Sequence, residues 1–162
     1  MRWVEDENDF KRIFLEARTC AYIDSGRQPS SLLRLVFDDS MTVTSRFAEL
    51  LQDLMARADE KACTYVVLDP DPVHYFFRHF NKYPVVEIAR GDGAKDYLRF
   101  LNEDPGGSPA DAIGTNCWAW VVLSPSLRWF VHALRSSEDN GGHLWIPPEW
   151  CLYIREKYHW LR

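Results

Sequence analysis

Five aspartates stand where strands are expected to end: Asp38 and Asp39 after LLRLVF, Asp69 and Asp71 after TYVVL, and Asp92 after PVVEIA. Mg²⁺ prefers oxygen ligands, and a bound Mg²⁺ activates water or clamps phosphate. If those strands ran parallel as neighbours, the acids would meet at their carboxyl ends, where open sheets bind ligands. Asp is equally an ordinary turn and cap residue. Asp71, directly before Pro72, is accounted for by helix capping alone.

The remaining chemistry-bearing residues assemble no recognisable centre. His74 and His79 are five apart, off the four-residue spacing that aims two imidazoles at one ion. His132 and His143 flank SSEDNGG and can approach each other across a hairpin, but spacing places no third ligand, as a zinc site requires. Of Cys20, Cys63, Cys117 and Cys151, only Cys151 falls in the first turn of an expected helix, where a thiol can be activated. The apolar setting of all four points to buried, reduced thiols. Ser124 and Ser126 lack a GxSxG elbow. Gly91, Gly93, Gly106 and Gly107 lack phosphate-loop spacing. No catalytic residue, metal-ligand set or cofactor is therefore assigned.

The strongest anomaly is aromatic. WAWVVLSPSLRWFVHAL, residues 118–134, carries three tryptophans and a phenylalanine. With a tight SPS turn, Trp118 and Trp120 would share a sheet face with Arg128, Phe130 and His132. Ala119, Val121, Leu123, Leu127, Trp129 and Val131 would form the opposite, apolar face. Trp and Arg are enriched at binding hot spots, so the first face reads as a binding surface. It also reads as the second covered face of a central sheet.

These residues need elements to hold them. Apolar periodicity predicts helices at 6–22, 44–58, 72–80, 94–102 and 148–160. The clearest stripe is Phe47, Leu50, Leu51, Leu54 and Met55. Strands are expected at 32–37, 64–68, 84–89, 117–123 and 143–147, with Pro84 placing its strand near an edge. Residues 127–134 fit either a helix or a strand, and their β-branched and aromatic content favours the strand. RQPSS reads as a loop and SSEDNGG as a turn. Alternating helices and strands early in the chain allow right-handed parallel crossovers, whereas the later part reads as an antiparallel meander. The expectation is a single α+β (mixed α/β) domain over 1–162, a mixed sheet with a C-terminal antiparallel meander.

Composition narrows the partners. The chain has 162 residues, 46% hydrophobic and 27% charged, which is ordinary globular usage and enough to bury a core. Its net charge of −5 gives no attraction to nucleic acid or an anionic membrane and favours a basic partner. No apolar run follows the N-terminal basic residue and no stretch approaches a membrane span, so a cytoplasmic protein is expected.

Acidity, size and the texture WVVLSPSLRWFVHAL … HLWIPPEW over the last third resemble the immunity proteins that protect bacteria from polymorphic toxins. The resemblance implies a protein that neutralises a toxin, often a basic nuclease, by covering its active site. Carboxylates would steer a basic partner and aromatics would anchor it. The expected contacts are Asp38, Asp39, Asp69 and Asp71 as acids, with Trp118, Trp120, Arg128, Phe130 and His132 on the aromatic face. Two other readings stand beside it: a Mg-dependent hydrolase or phosphoryl-transfer enzyme using the strand-end aspartates, and a structural or homo-oligomeric protein using the same aromatic face.

Overall fold

The computed structural model describes residues 1–26, 31–135 and 140–162. Most of the expected RQPSS loop, and the first four residues of the expected SSEDNGG turn, lie outside the described residues. The chain forms β1 (Arg2–Trp3), α1 (Glu7–Gly26), β2 (Leu33–Asp38), a 3₁₀ turn (Asp39–Val43), α2 (Ser45–Ala58) and β3 (Ala62–Asp69). A π-type turn (Pro72–Phe77) then runs into α3 (Arg78–Phe80), followed by β4 (Val85–Ala89), α4 (Ala94–Asn102) and α5 (Ile113–Asn116). The last third is β5 (Ala119–Leu123), β6 (Phe130–Arg135), β7 (Asn140–Ile146), a 3₁₀ turn (Pro148–Trp150) and α6 (Cys151–Lys157).

Local chemistry explains the helix starts. Thr44 caps α2 by accepting from the Phe47 amide, and Asp71 caps the π-type turn by accepting from the Val73 and His74 amides. Pro72 at the first helical position gives up an amide that would have been orphaned in any case. Residues 130–135 are strand, as their composition favours.

The strands form one sheet in the order β1-β4-β3-β5-β6-β7-β2. The fold is α+β, but every pairing is antiparallel, so the expected parallel crossovers are corrected. Helix–strand alternation is compatible with either direction. Here the helical segment after β3 returns the chain to the end it left, and Val67 donates to the Pro84 carbonyl at 3.0 Å, an ordinary ladder distance. The segment after β2 carries the chain four strand positions away from it. β4 behind Pro84 does lie next to an edge, with the two-residue β1 outside it.

One face of the sheet is covered by α2, α4 and α6, whose Leu50, Leu54, Tyr97 and Ile154 pack on Tyr65, Trp120 and Val131. Phe37 lies flat across β7 on this face. A Cβ on Gly142 would sit 2.1 Å from the Phe37 ring, so that glycine makes room for a core aromatic. The GG pair, expected in a turn, belongs to β7. The other face carries Val66, Val85, Val121, Leu123, Phe130 and Trp145, and among the described residues α1 is the one helix over it. At the β2 edge, Val36 exchanges two backbone hydrogen bonds with Arg162, 2.8 and 2.9 Å. Among the described residues no helix is long and apolar enough to cross a membrane.

Candidate functional site

The strand-end acids are dispersed. β2 and β3 point the same way but are four steps apart, about 19 Å at the usual inter-strand spacing. Asp92 follows β4, which runs opposite to β3, and its carboxylate accepts from the Ala89 amide at 2.7 Å. Asp38 is exposed and accepts from the Ser40 amide at 2.8 Å. That bonding to Ser40 holds its carboxyl below the usual range. Asp39, expected at a partner surface, is buried instead and pairs with Arg135, which also donates to the Gly114 carbonyl. Asp69 and Asp71 are exposed. Asp71 is engaged by the His74 and Val73 amides and the His74 ring, and these bonds, led by the His74 amide, lower its pKa against the opposing effect of burial. Among the described residues, no group of three His, Cys, Asp or Glu is placed to hold a metal.

The aromatic face divides differently from expectation. β5 and β6 pair with Trp120 opposite Ala133, Val121 opposite His132 and Leu123 opposite Phe130. Six residues, not a three-residue SPS turn, separate the strands. A one-residue change in register moves every side chain to the other face. Trp120 therefore faces α2 and is 2% exposed, while Phe130 and His132 face α1. Trp120 is a packing residue, while Phe130, 2% exposed, packs under α1 and reaches the floor of a groove beside it. Trp118, just before β5, is 54% exposed. Its backbone bonds both neighbouring strands, to Asp69 O at 2.9 Å and from Arg135 N at 2.7 Å. Of the expected contacts, Trp118, Asp69 and Asp71 come together at one end of the sheet. Asp38 shares that end at a distance, and Arg128 lies at the opposite end.

The long β5–β6 connection is held from below. Glu60, at the end of α2, accepts from the Ser126 amide at 3.2 Å, from the Ser126 hydroxyl and from Trp129 Nε1 at 3.1 Å. Trp129 is buried as expected. Leu127 adopts φ +53°, a left-handed conformation that costs a non-glycine residue about 1–2 kcal/mol. The Glu60 bonds fix the residues on both sides of it. The result holds the Leu127 side chain out to solvent, 43% exposed. Arg128 folds back over the Trp150 ring at 5.2 Å.

On the α1 face, Phe10, Ala17 and Cys20 turn inward while Leu15 remains 66% exposed. Burial pushes the Cys20 thiol up to about 12, so it is a packing group. One helix cannot roof seven strands, and between α1 and the Ser126–Arg128 loop a groove of about 580 Å³ remains open. Leu15, Ile23, Leu32, Leu127, Phe130 and Pro147 give it an apolar lining, with Glu16 on the α1 wall and Glu149 on the opposite one.

The last turn of α1 is fastened by a cluster that spacing does not reveal. Asp24 Oδ2 accepts from Nδ1 of His132 and of His143, each at 2.7 Å, and Oδ1 accepts from Trp145 Nε1 at 2.7 Å. His132 and His143 do face each other across β6 and β7, as expected from the hairpin. Their shared partner is a carboxylate more than a hundred residues earlier in the chain. The Asp24 side chain is 5% exposed and sits at a helix C-terminus, and both conditions disfavour a negative charge. Burial raises its pKa, yet the bonds from His132, His143 and Trp145 outweigh that and hold the carboxyl well below the usual range. His132, expected as a partner contact, is thus committed to positioning α1.

No protein family, no characterised protein and no solved structure matches this chain.

Proposed function

We propose that this chain is a protein-binding module that holds a basic protein, acting as an immunity-type protein that neutralises a toxin by direct binding. The observation that carries the reading is the half-covered sheet face. There, Leu15 and Leu127 are held out to solvent beside an open apolar groove. Apolar side chains gathered at a rim in this way mark interaction surfaces. A net charge of −5 makes a basic protein the favoured partner and disfavours self-association, nucleic acid and anionic membranes. Trp118 with Asp69 and Asp71 supplies a second aromatic–acidic region at the far end of the sheet, suited to lysine or arginine side chains.

The test is co-expression with a basic toxin encoded beside its gene, followed by size exclusion and calorimetry on the purified pair. Growth protection and a stable complex are expected. Absence of both overturns the reading, and self-association of the isolated chain at low micromolar concentration would favour a homo-oligomer in its place.

A further inference from the structure

We infer that the groove beneath α1 takes an amphipathic helix of the partner, apolar toward the groove and carrying lysine or arginine on both flanks. This rests on the protein-binding reading and specifies how the partner is held.

Three observations select a cationic helix. The first is hydrogen bonding. One wall is α1, whose interior amides are satisfied within the helix. The other is the β5–β6 loop, where the Ser126 amide goes to Glu60, the Leu127 amide to the Ser124 carbonyl and the Arg128 amide to the Ser126 hydroxyl. Among the described residues of these two walls no amide edge is free for strand addition, so the fitting occupant is one whose own backbone is already satisfied. The second is length. The α1 wall runs from Leu15 to Ile23, about 12 Å of helix rise, which matches two turns of a docked helix.

The third is charge. Carboxylates stand on both walls, Glu16 and Glu149. Glu16 meets Arg12 only at 3.6 Å on the exposed surface. Arg128, the one basic side chain among the described lining residues, stacks over Trp150, and the two carboxylates outnumber it. A second copy of this chain would bring further negative charge to the same rims, whereas a helix with basic flanks complements them.

The test uses the full chain and a fluorescent peptide of about five helical turns, with leucine on one face and lysine on both flanks. One comparison peptide has the same composition in scrambled order, and another has glutamate in place of lysine. The ordered lysine peptide is expected to bind about tenfold more tightly than either. Leu15→Glu and Glu149→Lys, both at exposed positions, are expected to weaken it by about tenfold and about threefold, while Lys95→Ala, exposed on α4 across the sheet, leaves it unchanged. Amide NMR shifts are expected at Leu15, Thr19, Ile23 and Leu127. Equal binding of the scrambled or glutamate peptide, or shifts gathered at Asp69 and Asp71, would overturn the assignment.

The two readings fail separately. If the toxin binds wild type and Leu15→Glu equally, the groove assignment is lost and the binding module stands. If the toxin binds neither while the peptide behaves as expected, the groove stands and the toxin reading is lost.

Discussion

The two faces of the sheet are built to different standards of closure. Several helices seal one face, and its aromatics interlock: Tyr65 stacks on Trp120 at 5.1 Å, and Phe47 meets Trp120 edge-on at 5.9 Å. The other face has a single helix, tied at its C-terminal turn by the Asp24 carboxylate and leaving an open groove along part of its length. Both faces are apolar in sequence. Sequence hydrophobicity therefore measures what must avoid water, while the number of helices available to cover each face decides where a binding surface is left.

Substitutions should separate the faces. Trp120→Ala, on the sealed face, is expected to lower stability by about 3–5 kcal/mol in urea unfolding. Asp24→Ala should cost about 3 kcal/mol, because three donors lose their shared acceptor under α1. Hydrogen exchange should then rise first in α1 and leave α2 protected.

The same carboxylate predicts an acid limb. Its folded pKa is depressed, so its contribution is fully present above the unfolded carboxylate value of about 4. Below that value the unfolded chain binds the proton first, and the contribution is lost as pH falls. Asp24→Asn should flatten this limb in pH-dependent melting. Gly142→Ala should cost about 2 kcal/mol by displacing Phe37, and a small effect there would mean that the sealed face has slack. Leu15→Glu, on the open face, should change stability by no more than about 0.5 kcal/mol. A large loss would show that Leu15 belongs to the core and not to a surface.

The elements that could be read from the sequence are those specified by neighbours in the chain. The Phe47–Met55 stripe forms α2, capped by Thr44 where the sequence allowed either Thr42 or Thr44, and Asp71-Pro72 opens the next helical segment. The core placement of Trp129 and Val131 also follows from local pattern. What could not be read depends on distant partners. The register that separates Trp120 from Phe130 depends on a six-residue loop, and Glu60, far back in the chain, fastens that loop. The roles of His132 and His143 depend on Asp24, and the burial of Asp39 depends on Arg135. Asp69 and Asp71 read as a metal cluster with Asp38 only while the strands are imagined parallel and adjacent.

The pairing of Val36 with Arg162 bears on how the molecule behaves in a crowded solution. A sheet edge with unpaired amides is a template for polymerisation. At this edge the central position of β2 is already occupied from within the chain. Removing the last few residues should leave binding through the groove intact while exposing that edge. The truncated protein is then expected to form thioflavin-positive aggregates sooner than the full chain on prolonged incubation.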